Sequence, residues 1–279
     1  MITLARLWGT ALLVGASVGA PVAIGAQQKP ADLTVFAAAS LKDAFSEAAD
    51  VLGKRNPPIA VRYSFAGSQQ LVLQLEQGAA ADVVASADQR WMQVAQDGGL
   101  VAGTPVIFAR NRLLVITPAS NPGRIDRLED LGKRGLKLVL GAEAVPVGKY
   151  SREALDRLRG APGFGTDYSK RVLRNLVSEE ENVKAVVSKV QLGEADAGIV
   201  YVSDVTPPVR KAVRTIEIPD PYNVVAAYPI AVLRQSQQPA AARAFVEYIT
   251  SAEGQAVLAR HGLLPAEAAA KQPAAGAPR

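Results

Sequence analysis

The sequence predicts an α/β protein of two lobes, each a mainly parallel sheet flanked by helices, with two crossing strands joining the lobes. Strand-like segments alternate with amphipathic helical ones, as where "LTVFA" precedes a helix at about 41–52. Two longer apolar segments, "PVIFARNRLLVITP" and "NVVAAYPIAVL", divide this alternation and are long enough to run from one sheet to the next. Two helical patterns, "PAAARAFVEYIT" and "SAEGQAVLARHG", come last and need a sheet to cover.

The order of these segments defines the predicted domains. Three strand–helix units, starting at "LTVFA", "IAVRYSFA" and "ADVVAS", belong to the first part of lobe I, residues 32–111. The second series, from "LLVITP" to "GIVYVSDV" and the start of the second long strand, forms lobe II, residues 112–227. Residues 228–264 then return to lobe I, where their helices cover the first sheet.

Both ends of the chain predict segments outside the fold. Residues 1–26 combine Arg6, an apolar stretch and small residues up to Ala26, which is the pattern of a secretory signal peptide cleaved near Ala26. Glycines interrupt that stretch, which is shorter than the roughly 20 apolar residues of a membrane span. We therefore expect a periplasmic protein. Residues 265–279, rich in alanine and proline, predict a disordered tail.

The composition excludes several classes of function. The 279 residues include no cysteine, so there is no disulfide, thiolate metal site or cysteine-linked lipid anchor. The net charge of +5 is spread without a basic run, and no helix-turn-helix precedes the fold, so we expect no nucleic-acid partner. With 49% hydrophobic residues the chain is typical of a soluble globular protein. Separately from the composition, we expect a monomer.

Small residues stand at several predicted strand-to-helix turns. Ser40 ends "AAAS", Gly67 and Ser68 open the helix after "SFA", and Pro146 opens the helix of "VPVGKY". Such turns let the backbone approach a bound group, toward which the unpaired N–H groups of the next helix point. Taken singly, Ser40 and Ser68 are typical helix N-caps. Together, the turns favour a small-anion site that needs neither arginine nor lysine.

The motifs also occur in the order that they have in the periplasmic molybdate-binding proteins of ABC importers, which the chain resembles over residues 32–264. The matching segments are "VFAAASL", "SFAGSQQL", "GAAADVVASADQRWM", "VPVGKY", "ENV", "GIVYVSD" and "YPIAVL". The resemblance implies a type II periplasmic-binding-protein fold and a substrate-binding component that delivers molybdate, and also tungstate, to a membrane permease. It implies no cofactor and no direct metal coordination, since the anion is held through its oxygens.

The resemblance also implies the ligand-binding residues. They are the hydroxyls of Ser40 and Ser68, the backbone N–H groups of Val147 and Val183, and the hydroxyl of Tyr201. The chain departs from the family pattern in two places. Val147 replaces a frequent alanine and could crowd the pocket, and Gln69 and Gln70 replace small residues and could add polar groups at its rim.

One local conflict concerns the Val183 assignment. Ser178 and Glu181 match a capping box, which would start a helix early and pair the N–H of Val183 within it. We instead predict a later start, with Glu181 or Asn182 as the cap. The acidic residues 179–181 would then lie outside the first turn and face solvent.

Other functions remain open at this point. A related binding protein for sulfate, thiosulfate or a ferric complex would share the fold, although ferric binders tend to present paired tyrosines and "VYVSD" has one. Ser40 or Ser68 could serve as a nucleophile, but the chain lacks a GxSxG turn, and its single histidine, His261, lies in the last helical segment. We therefore expect no enzyme activity. A donor-only ligand set also predicts rejection of phosphate, whose buried proton would lack a partner at a cost of about 1–3 kcal/mol.

Overall fold

The computed structural model describes residues 31–55 and 57–267. The predicted signal peptide and the part of the predicted tail beyond residue 267 lie outside these residues. The strands are β1 (Ala31–Ala38), β2 (Ile59–Ala66), β3 (Val83–Ala85), β4 (Val106–Asn111), β5 (Leu113–Pro118), β6 (Leu138–Gly141), β7 (Leu176–Glu180), β8 (Ala197–Tyr201), β9 (Val213–Glu217), β10 (Ala226–Val232) and β11 (Leu264–Pro265). The α-helices are α1 (Lys42–Leu52), α2 (Ser68–Glu76), α3 (Gln89–Asp97), α4 (Pro146–Leu158), α5 (Tyr168–Leu173), α6 (Val183–Gln191), α7 (Pro207–Ala212), α8 (Pro239–Thr250) and α9 (Ala252–Arg260).

The strands form two sheets, one in each lobe. Lobe I has the order β11-β4-β10-β3-β1-β2, and lobe II has the order β7-β6-β8-β5-β9. The α/β architecture is as predicted, but both sheets are mixed rather than mainly parallel. The strand–helix units pair in parallel, β1 with β2 and β3, and β6 with β7 and β8. The remaining pairs are antiparallel. They are β10 with β3 and β4, and β11 with β4, in lobe I, and β5 with β8 and β9 in lobe II.

The two crossings between the sheets differ from each other. In the first, β4 ends at Asn111 and β5 begins at Leu113, so a nearly continuous strand serves both sheets. The second crossing is the segment 218–225 rather than a strand, since β10 pairs only within the first sheet. Pro219 and Pro221 explain this difference, because proline has no N–H for a strand ladder. Asn223 ties the crossings together by accepting from the N–H of Leu113 at 3.0 Å and donating to its carbonyl at 2.9 Å.

Helices α8 and α9 lie on the lobe I sheet and against α1. Phe245 of α8 packs edge-on against Phe45 of α1, with ring centroids 5.6 Å apart. Pro265, the first residue of the predicted tail, lies in β11 instead, paired with β4. Arg110 Nε donates to the carbonyl of Ala266 at 2.6 Å, so the ordered chain extends past the predicted boundary.

Candidate functional site

The five predicted ligand-binding residues line one cavity between the lobes. Ser40 and Ser68 come from lobe I, and Val147, Val183 and Tyr201 come from lobe II. The remaining lining residues are mostly small or apolar: Ala38, Ala39, Ala66, Gly67, Ala87, Val145, Pro146 and Asn182. A group bound here would therefore contact both lobes at once.

Ser40 lies where β1 passes into a short 3-10 turn, residues Ala39–Leu41, that leads into α1. The turn is buried, and the two of its residues that line the cavity, Ala39 and Ser40, have small side chains. The Ser40 hydroxyl makes no capping bond to α1; its Oγ lies 3.0 Å from the hydroxyl oxygen of Tyr228. The N-cap interpretation of Ser40 is therefore wrong.

Ser68 is the first residue of α2, with Gly67 as the N-cap residue, so Ser68 does not cap the helix either. Its Oγ accepts the N–H of Ala87 at 2.9 Å, which leaves the Ser68 proton available to a ligand. A side chain at residue 67 would collide with the carbonyl oxygen of Glu181 in lobe II. Glycine is therefore required where the two lobes come together.

Val147 lies in the first turn of α4, whose N-cap residue is Val145. The first backbone bond of this helix runs from the N–H of Lys149 to the carbonyl of Val145 at 3.0 Å. By position, the N–H of Val147 has no acceptor inside the helix. A Cβ added to Gly141 would lie 2.8 Å from Cγ1 of Val147, so the valine side chain packs against the end of β6. Val147 also lines the cavity, so its effect on the size of the pocket stays a prediction.

Val183 is the first residue of α6, and Asn182 is the N-cap, its Oδ1 accepting the N–H of Ala185 at 3.1 Å. The predicted later helix start is confirmed, and the N–H of Val183 is among those without an intrahelical acceptor. The prediction that all three acidic residues face solvent is wrong for Glu180. Its carboxylate contacts Lys189 Nζ at 2.7 Å, and although burial raises the pKa of Glu180, the bonds from Lys189 and Ser178 outweigh this and lower it.

Tyr201 ends β8 with its ring 1% exposed. Its hydroxyl has no hydrogen-bond partner among the described residues, and burial raises its pKa well above 10. The group therefore stays protonated at neutral pH, a buried donor without an acceptor. Such groups are rare in proteins because each costs about 1–3 kcal/mol, and a bound acceptor would remove that cost.

The ends of three helices supply backbone donors to the cavity wall. Helices α2, α4 and α6 all begin at its wall, where their N–H groups and dipoles favour an anion. Among the described residues, none with a charged side chain lines the cavity. Asp88, beside it, caps α3 by accepting the N–H of Trp91 at 3.0 Å, and burial raises the pKa of this carboxyl. Lys184 is neutralised by Asp43 at 2.9 Å and by the buried Asp204 at 3.2 Å.

Several contacts across the cleft show that the lobes are closed. Gln69 Nε2 donates to the Glu181 carbonyl and Gln70 Nε2 to its carboxylate, both at 2.8 Å. Trp91 Nε1 donates to the carbonyl of Ala144 at 2.7 Å. The bond between Lys184 and Asp43 also joins the lobes. Gln69 and Gln70, predicted as additions to the rim, thus form part of the closed contact surface.

The residues behind the cavity and across the cleft have no recognisable signal in the sequence. Asp43, Trp91 and Lys184 lie on amphipathic helices, where their polar groups look like ordinary surface residues. Tyr228 lay within the "YPIAVL" motif, but no local pattern indicated that it contacts Ser40. Their roles depend on pairings between residues far apart in the chain.

None of the helices in residues 31–55 and 57–267 is long and apolar enough to cross a membrane. Residues 33–264 match the family model of bacterial extracellular solute-binding proteins. The molybdate-binding protein ModA of Mycobacterium tuberculosis is 41% identical over 238 residues, which is 85% of this chain and 86% of that protein.

Two solved structures share the fold at lower identity. The periplasmic molybdate-binding protein of Azotobacter vinelandii has a TM-score of 0.72 at 19% identity, covering 83% of this chain and 98% of that one. The sulfate-binding protein SubI of Mycobacterium tuberculosis has a TM-score of 0.74 at 18% identity, covering 84% and 87%. The fold thus accommodates binders of different oxyanions and does not by itself identify the ligand.

Proposed function

Since the chain belongs to the bacterial extracellular solute-binding proteins and, within them, to the family of molybdate-binding proteins, we propose that it captures molybdate, and also tungstate, in the cavity between its lobes. The hydroxyls of Ser40, Ser68 and Tyr201 and the N–H groups of Val147 and Val183 donate to the anion's oxygens. The anion needs no metal–protein bond and no cofactor.

The observation that carries the proposal is the hydroxyl of Tyr201, which is buried and has no partner among the described residues. The described wall of its cavity holds helix N-termini and no carboxylate. Molybdate, tungstate and sulfate are fully deprotonated at neutral pH and present only acceptors, which matches a set of donors. A hydrogen phosphate ion would bury its proton without an acceptor, at a cost of about 1–3 kcal/mol. The size of the closed cavity determines the selection between molybdate and the smaller sulfate.

Closure of the lobes is coupled to binding, because the anion contacts both lobes only in the closed form. The protein, exported to the periplasm as a monomer after cleavage near Ala26, then delivers the anion to the membrane permease of an ABC importer. Nucleic acid has no part in this function.

Binding rather than catalysis also fits the chemistry of the cavity wall. The described residues that line it include no histidine, lysine or carboxylate, so none of them would activate Ser40 or Ser68 as a nucleophile. His261 follows α9, where its Nε2 lies 2.7 Å from a carboxylate oxygen of Glu47.

Calorimetric titration of the chain from Gln27 onward tests the proposal, with molybdate, tungstate, sulfate and phosphate at one pH and salt concentration. We expect tight binding of molybdate and tungstate, weak binding of sulfate and none of phosphate. Tight sulfate binding with weak molybdate binding would reassign the ligand. If none of the four anions bound, the proposed oxyanion ligand would be refuted. Thiosulfate and ferric complexes would then be titrated.

A further inference from the structure

Three buried polar side chains form a chain of contacts behind the cavity. Asn111 ends β4, Tyr228 lies in β10, and Ser40 lies at the cavity wall. Asn111 Nδ2 is 3.3 Å from the Tyr228 hydroxyl oxygen, which is 3.0 Å from Ser40 Oγ. Asn111 and Tyr228 are fully buried and Ser40 is 4% exposed, so water does not compete for these contacts.

The donors and acceptors of the three side chains determine which group donates in each of these contacts. The N–H of Arg112 donates to Asn111 Oδ1 at 3.0 Å, which fixes the orientation of the amide. Asn111 Nδ2 can then only donate, to Ser203 Oγ at 2.7 Å and to the Tyr228 oxygen.

The proton of Tyr228 is accounted for in the same way. Burial raises the pKa of Tyr228, so its hydroxyl keeps its proton at neutral pH. Among the described residues that hydroxyl contacts only Asn111 and Ser40. Since Asn111 donates, the buried Tyr228 proton finds an acceptor only when Tyr228 donates to Ser40 Oγ. The Ser40 proton is then left without an acceptor in the described chain, beside the cavity.

We propose that Tyr228 is a positioning residue: oriented by Asn111, it donates to Ser40 and so turns the Ser40 proton toward the bound anion. This inference rests on the proposed function and adds a specificity element to it. A serine held in this way offers a proton to a fully deprotonated oxyanion. A serine free to rotate could instead accept the proton of a hydrogen phosphate ion.

A double-mutant cycle tests the role of Tyr228. Molybdate is titrated calorimetrically into the wild-type protein, Tyr228→Phe, Ser40→Ala and the double variant. Phenylalanine keeps the ring that packs edge-on against Tyr201, at 5.8 Å between centroids, and removes only the oxygen. We expect Tyr228→Phe to weaken binding about 5- to 20-fold when Ser40 is present. In the Ser40→Ala background the effect should fall to less than about twofold, because the pair acts as one unit.

Tyr63→Phe is the matched control. Tyr63 also lies in lobe I, and its hydroxyl donates to the carbonyl of Phe45 at 2.7 Å without contacting Ser40. Its removal should leave the molybdate affinity unchanged. Thermal melting of each variant without anion establishes that it is folded.

The selectivity of Tyr228→Phe provides a second measurement. The ratio of molybdate to phosphate affinity should fall, because the freed Ser40 can accept a proton. Equal losses of molybdate affinity with and without Ser40 would show that Tyr228 acts through packing. No loss in either background would show that the contact between Tyr228 and Ser40 does not contribute to binding. Either result overturns the inference and leaves the proposed function standing. A wild-type protein that binds none of the oxyanions would overturn both.

Discussion

Replacing Tyr201 by phenylalanine separates a ligand-binding tyrosine from a structural one. The hydroxyl of Tyr201 is buried and has no partner among the described residues, so it contributes no internal hydrogen bond to the described fold. A charge-assisted hydrogen bond to an anion contributes about 1.5–3 kcal/mol. At about 1.4 kcal/mol for each factor of ten, Tyr201→Phe should weaken molybdate binding about 10- to 150-fold.

The same substitution should not destabilise the ligand-free protein. Because the hydroxyl is unsatisfied in the closed fold and is free to meet water when the cleft opens, its loss removes no internal bond. We expect the melting temperature of the ligand-free variant, measured by scanning calorimetry, to equal or exceed that of the wild type. Affinity is measured by titration on the same preparation.

Tyr168→Phe is the control for this experiment. Tyr168 is also buried in lobe II, but its hydroxyl donates to the carbonyl of Leu128. Removing that bond should cost about 1 kcal/mol, which corresponds to about 2–4 °C in a chain of this size, with unchanged molybdate affinity. If Tyr201→Phe instead lowered the melting temperature by several degrees and bound molybdate normally, Tyr201 would be a structural residue and not a ligand-binding one.

Three further substitutions test the cleft. Ser68→Ala should weaken molybdate binding about 10-fold or more through loss of a charge-assisted donor. If titration showed unchanged affinity, Ser68 would have only the structural role of accepting the N–H of Ala87. Gly67→Ala should hinder closure, because the added methyl meets the Glu181 carbonyl. Small-angle scattering should then show the variant still extended at saturating molybdate, and a compact liganded form would contradict this. Asp43→Asn removes the partly exposed ion pair with Lys184, so affinity should fall up to about fivefold. This loss should shrink as salt is added to the titration, and a salt-independent loss would exclude an electrostatic role.

The turns around the cavity were predictable because their chemistry is local. Small residues before a helix, Pro146 at a helix start and Asn182 as a cap each act through neighbouring backbone. The same holds for the late start of α6. A capping box at Ser178 would have been equally local, but residues 176–180 form β7 beside β6 and take Ser178 out of the helix.

The closing contacts and the strand directions were not predictable because they are nonlocal. Gln69 meets Glu181 across 112 residues and Ser40 meets Tyr228 across 188, and no pattern in a short window encodes either pairing. The mixed sheets have the same origin, since β10 enters lobe I from the opposite end to β1. The form of the second crossing, by contrast, had a local signal in Pro219 and Pro221 that the apolar pattern obscured.

The most direct test of the account is a crystal structure of the chain with molybdate, in which anomalous scattering locates molybdenum. We predict one molybdenum between the lobes, with its oxygens within hydrogen-bond distance of the hydroxyls of Ser40, Ser68 and Tyr201 and the N–H groups of Val147 and Val183. Molybdenum bound elsewhere, or an anion in the cleft that leaves the Tyr201 hydroxyl without a partner, would contradict it.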